Sequence, residues 1–372
     1  MTPRVLHLNW IPEPGRWPGV MAKLAQQARA ARDLPLEFVV LTSGESGACD
    51  GLRLVPVAGG GLSGRLRRHR LIAGALPLAD FTAVVFRYYT GFDCDFSSWP
   101  HATARLSEHH TIESTELADG SLRGWAQAGL ERWRGPVYLR QMHGLVAVTG
   151  EILAYQQKRS PRLPGMVIGN GIEAGAIPVA SARPAGGELH LVFASGRFDS
   201  WQGLDRLVAG LAIYPGPRIV LHLAGHGAGD VGETVAGMAR IIRHGVLNQA
   251  GIDRLMDEAH LAVGPLAVHR KGLREACPLK SRDALARGIP LVFAHKDPDL
   301  PDGHPGWLRL PANETPIDIP SIVAFARRCA SLQPALSQEL RGFAEDKLAW
   351  APRMRHLTEF ALDVAHGRLR QR

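Results

Sequence analysis

Apolar positions along the chain fall into short, nearly continuous runs separated by longer stretches where they recur every three or four residues. Residues 5–10, 36–42, 83–89, 145–149 and 166–169 are runs of the first kind in the first half, and 189–195, 218–224, 260–266 and 289–294 match them in the second. A run apolar on both alternating faces predicts a strand buried on both sides of a parallel sheet, because helices cover both faces of such a sheet. The 3.6-residue period predicts helices at 20–32, 150–158, 204–211, 231–243, 252–259, 281–287 and 320–332. Strand–helix alternation from end to end makes this an α/β protein with doubly wound, Rossmann-like parallel sheets.

One sheet of nine or more strands would satisfy the pattern, but NGIEAGAIPVASARPAGG at 170–187 interrupts it. Its glycine, alanine and proline content with weak helical periodicity predicts a linker, placed at 173–187. The expected organisation is an N-terminal domain over 1–172, a C-terminal domain over 188–341, and a helical segment over 342–372 that packs back on the first domain. The apolar set of that segment is Phe343, Leu348, Trp350, Met354, Leu357, Phe360 and Leu362. Open α/β sheets bind ligands beyond the carboxyl ends of their strands, at the point where strand order reverses. Two facing sheets are therefore expected to hold a ligand in a cleft, with functional residues just after strands.

The composition, 45% apolar and 21% charged, is that of an ordinary globular chain and excludes disordered, collagen-like and disulfide-scaffold classes. The net charge of +8 favours anionic partners such as phosphates or anionic lipid. Only six of the 43 basic residues are lysine, an arginine bias that GC-rich coding produces without functional pressure. No basic helix or base-stacking motif accompanies it, so nucleic acid is not an expected partner. Cys49, Cys94, Cys277 and Cys329 are scattered without a Cys-x-x-Cys, which predicts free thiols in a reducing compartment. The apolar start followed by prolines is a buried strand rather than a signal peptide, and no apolar run is long enough to span a bilayer. A cytoplasmic protein is expected, with possible contact at the inner face of the cell membrane. The four arginines of GRLRRHR (64–70) beside the apolar stretch 71–78 form either a docking patch for anionic membrane or a solvated basic surface. His222, flanked by strand residues, is expected to be a core histidine. His109 and His110 should diverge, as neighbours in extended chain do, and so make no metal pair.

Two stretches carry candidate chemistry. In LVFASGRFDSWQGLDRLVAGL (191–211) a strand gives way to Gly196 and Arg197, and Gly203 precedes a helix. Arg197 thus stands near a helix N-terminus, where free N–H groups and the dipole favour an anion. Its planar fork suits a diphosphate, although an arginine closing a loop would look the same. In LAVGPLAVHRKGLREACPLKSRDALARGIPLVFA (261–294) His269, Arg270, Lys271, Arg274 and Glu275 follow a strand. Asp283 lies eight positions on, within a helix that Lys280 opens. Two such carboxylates could each take a sugar diol, and the lysine a phosphate.

Together these stretches resemble the retaining, nucleotide-sugar-dependent glycosyltransferases of the GT-B fold, in the group with a Glu-(seven residues)-Glu signature. SGRFDSWQGLDRL (195–207) is similar to the family's G-R-(L/F)-x-x-x-K-G-x-D-x-L, and HGVLNQAGIDRLMDEAHLAVGPL (244–266) to its turn, helix and strand. GLREACPLKSRDALARGIPLV (272–292) resembles E-x-x-P-L-K-x-x-E-x-x-A-x-G-x-P-(V/L), and HHTIESTEL (109–117) and VTGEI to NGI (148–172) fit the N-terminal half.

The resemblance implies that Glu275 holds the donor sugar and Asp283 the ribose hydroxyls. It places Arg197, Gly196, Lys280 and the backbone of Pro278 and Leu279 about the diphosphate. Backbone at Gly245, Val246 and Leu247 would meet the base. Gly19 and Val20 resemble the glycine turn near the phosphates, and His110 the residue beside the reacting sugar. Two positions depart from the pattern. Gln202 stands where the family has lysine, with Lys271, Arg270 and Lys280 as candidate replacements for its charge, and Asp283 is one methylene short of glutamate. The implied activity is sugar transfer to a glycan or lipid-linked acceptor in bacterial cell-surface polysaccharide synthesis, with no cofactor and no metal. A catalytically weak relative serving as a nucleotide- or glycan-binding assembly partner is the alternative, and a sugar-nucleotide epimerase or a phosphorylase is a third reading.

Overall fold

The computed structural model describes residues 2–44, 46–58, 64, 66–88, 90, 93–118, 120–181 and 187–369. Arg65 of the basic patch, Tyr89 of an expected strand, 182–186 of the expected linker and 370–372 lie outside them. The chain forms two compact units, Met1–Gly169 with Trp350–Arg372, and Asn170–Ala349.

In the first unit β1 (Val5–Trp10), β2 (Leu36–Thr42), β3 (Gly47–Cys49), β4 (Leu52–Pro56), β5 (Ala83–Arg87), β6 (Ala104–His109), β7 (Gly144–Ala147) and β8 (Gly165–Val167) form one sheet. Its order is β3-β4-β2-β1-β5-β6-β7-β8, parallel except between β3 and β4. The apolar residues of the central strands are almost fully buried, among them Val5, Leu6, Leu8, Val39, Val40 and Val84. Each such side chain contributes roughly 1.5–3 kcal/mol, and this two-sided burial is what the unbroken apolar runs encode. Helices α1 (Pro18–Ala30), α2 (Arg68–Ala75), α3 (Glu113–Leu117), α4 (Leu122–Leu139) and α5 (Gly150–Arg159) connect the strands. Thr149 caps α5 by accepting from the Ile152 N–H, and Ser121 caps α4 by accepting from Gly124.

The second unit holds β9 (Leu189–Arg197), β10 (Ile219–His226), β11 (Gly232–Ala236), β12 (Ala239–Arg243), β13 (Leu261–Val263), β14 (Leu291–Phe293) and β15 (Trp307–Arg309) in the order β11-β12-β10-β9-β13-β14-β15. Only β11–β12 is antiparallel. Its helices are α6 (Leu204–Ile213), α7 (Gln249–Asp257), α8 (Leu279–Ala286), α9 (Ile319–Ser331) and α10 (Ala335–Lys347), and α11 (Trp350–Ala365) then packs on α1, β1, β5 and β6 of the first unit. Strand order reverses between β1 and β5 in one sheet and between β9 and β13 in the other.

Several expectations are corrected. The helix expected at 231–243 is the β11–β12 hairpin. Val231, Val235, Met238 and Ile242 do sit at helical spacing, but Gly237 turns the chain with φ +60° and the second strand pairs with β10. The crossing between units lies at Gly169–Asn170, ahead of the expected linker, because Ile172 and Ala174 are buried in the second unit's core. The helical segment expected over 342–372 is broken at Leu348–Ala349, between α10 and α11. Phe343 and Leu348 pack in the second unit, while Trp350, Met354, Leu357 and Phe360 are buried on the first unit's side of the break. Helix α4 and strand β6 were not anticipated. Ser107, Glu108 and His109 break the apolar run of β6, yet all are buried.

Candidate functional site

In the second unit the expected donor residues gather beyond the carboxyl ends of β9, β13 and β14, beside the point of reversal. The loop after β9 is stitched to the loop after β13: the carbonyls of Gln202 and Trp201 accept from the N–H groups of Leu266 (2.9 Å) and Ala267 (3.2 Å). Gly203 permits this approach, since at φ +71° a Cβ there would stand 2.9 Å from that of Leu266. Nothing lies within 4 Å of where a Cβ would stand on Gly196, so the backbone at the end of β9 is open to a ligand.

Gln202 is buried, and its Oε1 accepts from the Lys280 ammonium at 3.3 Å. Lys280 occupies the first turn of α8, behind Pro278 at the N-cap, with its ammonium 5.5 Å from the centre of the Phe193 ring. Burial lowers its pKa to about 7. Gln202 thus holds Lys280, one of the candidate replacements for the charge missing at position 202. Lys271 extends over the Trp201 ring at 4.8 Å. Arg197 is 76% exposed and pairs with Asp199 at 2.9 Å. Arg270, the other candidate replacement, is committed elsewhere: it donates to Asp205 and to Glu314, and with His269 it holds the Glu314 carboxyl down at a pKa of about 2.

Glu275 is fixed from both sides. Backbone bonds from Ala276 to Lys296 (3.0 Å) and from Lys296 to Arg274 (2.9 Å) bracket it, and its carboxylate accepts from the exposed Lys296 ammonium at 2.8 Å. Asp283 accepts from Arg287 at 2.9 Å, and Arg287 reaches on to Asp253 at 2.7 Å, so this carboxylate is already held by a buried arginine. Val246 and Leu247 follow β12, where the Gly245 carbonyl accepts from Gly225 at 2.7 Å. Only glycine fits at 225, with φ +137° and a Cβ position 1.7 Å from the Ser195 carbonyl oxygen.

Beneath these residues lies a cluster that sequence reasoning missed. Arg282, fully buried, pairs with Asp297 and donates to Asp299 (2.6 Å), to the Cys277 sulfur (2.8 Å) and to the Asn170 carbonyl (3.0 Å). It ties α8 to the segments carrying Glu275 and Lys296. The signal available was an arginine inside an otherwise buried helix, followed by Asp297-Pro298-Asp299 just past the next strand.

In the first unit a cavity of about 390 Å³ opens beyond the carboxyl ends of β1, β5 and β6, again at the reversal, lined by Trp10, Trp17, Val20, Tyr88, His110 and Glu116 among others. Gly19, one residue before Val20, is exposed in the first turn of α1. Burial, reinforced by Lys23, lowers the His110 pKa to about 3 although Glu108 at 3.3 Å opposes this, so His110 faces the cavity as a neutral imidazole. His109 is not among the cavity's lining residues and enters a buried network: it meets Glu113 at 2.8 Å, which accepts from Gln156 at 2.8 Å and itself lines the cavity.

Among the described residues two groupings invite a metal. His190, His222 and Glu258 bring ligand atoms within 4.8 Å of one another. Yet His190 Nδ1 lies 3.0 Å from His222 Nε2, and His222 Nδ1 lies 3.1 Å from His244 Nε2. Ring-centre separations of 5.2 and 5.3 Å put the facing nitrogens nearly on the lines joining the rings. Lone pairs aimed at each other share a proton rather than converge on a cation. Cys277, Asp297 and Asp299 form the other grouping, which Arg282 already fills. A further Asp-x-Asp pair accepts backbone bonds: Asp93 from His69 (2.8 Å) and Asp95 from Ser97 (2.9 Å).

No protein-family profile and no curated protein sequence matches the chain. Solved structures do. Sucrose-phosphate synthase from Thermosynechococcus elongatus is similar at a TM-score of 0.67 and 13% identity, over 98% of this chain and 100% of that one. A glycosyltransferase from Rickettsia africae gives 0.64 and 12%, over 98% and 99%. Anabaena HepE, solved with UDP-glucose, gives 0.64 and 15%, over 96% and 98%. The fold shared with these proteins is GT-B, two Rossmann-like units, as the sequence resemblance implied.

Proposed function

We propose that this GT-B chain is a glycosyltransferase that moves a sugar from a nucleotide-sugar donor to a glycan or lipid-linked acceptor, with retention, in bacterial cell-surface polysaccharide synthesis. The observation that carries the reading is the Lys280–Gln202 pair, set with Arg197, open Gly196 and Glu275 about one strand-order reversal. Departure of a nucleoside diphosphate builds negative charge on the phosphates and positive character on the sugar. Arg197, Lys271 and Lys280 supply fixed positive charge on the phosphate side, and the first turn of α8 adds its N–H dipoles. Neutralisation then comes from this chain's own cations, without a metal or cofactor. Glu275 holds the sugar hydroxyls, Asp283 the ribose, and backbone at Val246 and Leu247 the base. HepE, solved with UDP-glucose, makes UDP-sugars the first donors to test.

The cavity of the first unit takes the acceptor. Its tryptophans offer flat apolar faces for sugar rings, and the neutral His110 can orient a hydroxyl without adding charge. Among the described residues no helix is long and apolar enough to cross a membrane, and the reading places the protein in the cytoplasm, at the inner face of the membrane.

Nucleoside diphosphate release, measured across UDP-, GDP-, TDP- and ADP-sugars, tests the activity and identifies the base. The weak-relative alternative rests on Gln202 and expects binding without release. Arg197→Ala removes an exposed side chain, so thermal stability should hold within about 0.5 kcal/mol while donor affinity falls roughly tenfold. Unchanged affinity by calorimetry would remove Arg197 from the site. Glu275→Gln should bind nucleoside diphosphate normally and lose about 10²–10³ in kcat, the scale of one strong transition-state contact. Wild-type turnover in that variant would refute the role given to Glu275.

A further inference from the structure

Helix α4 is buried on its inner side through Gly124, Ala128, Glu131, Gly135 and Tyr138. Its outer side should be polar if it faced only water, and it is not. Leu122 is 91% exposed, Trp125 56%, Trp133 72% and Val137 37%. At 100° per residue Leu122, Trp125, Ala126, Gly129, Trp133 and Val137 fall in one sector about 120° wide. Arg132 borders that stripe on one side, Arg123 and Arg134 border it on the other, and Arg140 follows its C-terminal end. The helix has a single acidic residue, Glu131, and it faces inward, bonded to Tyr88 (2.7 Å) and Arg159 (2.8 Å). The exposed face therefore combines indoles, aliphatic groups and guanidinium ions with no carboxylate.

We infer that α4 lies in the surface of an anionic bilayer, its stripe at the boundary between headgroups and acyl chains and its arginines on lipid phosphates. Tryptophan favours that depth because the ring is apolar and its N–H can still reach water. Flanking cations add electrostatic attraction that grows with anionic lipid content. With Arg123, Glu131, Arg132 and Arg134 the 18-residue helix carries too much charge to span and is suited to lie flat. The stretch 64–78, expected to be either a docking patch or a solvated basic surface, carries no such stripe on α2. There Ile72, Leu76 and Leu78 are core residues, and α2 offers its cations without an apolar face. Helix α4 also packs against α3, which carries Glu113 and Glu116 of the acceptor cavity, so a docked α4 brings that cavity to the membrane. The inference deepens the proposal of a lipid-linked acceptor.

Vesicle flotation of the full chain, without donor or acceptor, tests it. Vesicles of phosphatidylcholine with phosphatidylglycerol should carry the protein at low salt, and pure phosphatidylcholine should not. Trp125→Ser with Trp133→Ser should lower partition at least tenfold while leaving the melting temperature and UDP affinity unchanged. Arg123→Gln with Arg132→Gln should lower it and flatten its salt dependence. Failure to float with anionic vesicles overturns the inference, as does undiminished flotation of the double-Trp variant. A self-associated species in solution that the double-Trp variant abolishes would assign the face to a second copy of the chain and overturn it as well. UDP affinity, read on the same samples, reports on donor binding independently of docking.

Discussion

Affinity for a nucleoside diphosphate should weaken by up to tenfold per pH unit above about pH 7, and Lys280→Met should abolish that dependence. The sign follows from the site. Burial lowers the Lys280 pKa to about 7, so the ligand-free protein loses this cation as pH rises through neutrality. A diphosphate prefers the ammonium, and above the ligand-free pKa each binding event must take up a proton, at about 1.4 kcal/mol per unit. Below pH 7 the affinity should level off. Calorimetric titration with UDP between pH 6 and pH 9 reads the profile, and a flat profile for the wild type would remove Lys280 from the phosphate site. The same lowered pKa has a consequence for stability. Unfolded lysine stays protonated up to about pH 10.5, so holding Lys280 in this site costs stability at neutral pH, and the cost fades as pH rises from 7 toward 10.5. Lys280→Met should therefore stabilise the protein at pH 7 by about 1–3 kcal/mol, after allowing for the acceptor left on Gln202. A variant that melts higher but binds nucleotide more weakly, with a flat pH profile, would separate this site cation from an ordinary structural one.

Arg282→Met should be the most damaging single change to folding. Arg282 and Asp297 are both fully buried, and removing the guanidinium leaves a carboxylate without its counterion, typically a loss of about 3–5 kcal/mol. At about 2–4 °C per kcal/mol for a unit of this size, the melting transition of the second unit should fall on the order of 10 °C. Adding Asp297→Asn should recover part of the loss, because the stranded charge is then gone. A drop of only a degree or two would mean that the cluster is dispensable. Nucleotide affinity should fall as well, since Arg282 joins α8 to the segment bearing Glu275.

Elements were legible in the sequence where a single rule governed them. Strands β1, β2, β9 and β10 are buried on both faces and announce themselves as unbroken apolar runs. Strand β6 hides because Ser107, Glu108 and His109 satisfy one another and their neighbours inside the protein. Helix α4 hides for the opposite reason: its outer face is apolar, which erases the amphipathic contrast, and Gly124, Gly129, Gly135 and Pro136 depress its helical propensity. The hairpin at 231–243 misleads because Val231, Val235, Met238 and Ile242 repeat like a helix while sheet pairing decides the outcome. Within the candidate site, motif order singled out Arg197, Gln202, Glu275 and Lys280. It could not give the Lys280–Gln202 contact, the capture of Arg270 by Asp205 and Glu314, or the reach of Arg287 to Asp253. Each of these joins residues that spacing leaves independent or arises from a partner outside the motif.

The in-line imidazoles of His190, His222 and His244 impose an arithmetic of their own. Four of their six ring nitrogens face one another across two gaps, and each gap takes one hydrogen. An uncharged trio has a third hydrogen, which must sit at one end or the other, so all three rings share one tautomeric sense and reverse it only in concert. A single extra proton is accommodated by occupying both ends, whereas another would set two N–H groups head to head. The tautomer of His244, one residue ahead of the turn at Gly245, is thereby coupled to that of His190 on a strand two places away in the sheet.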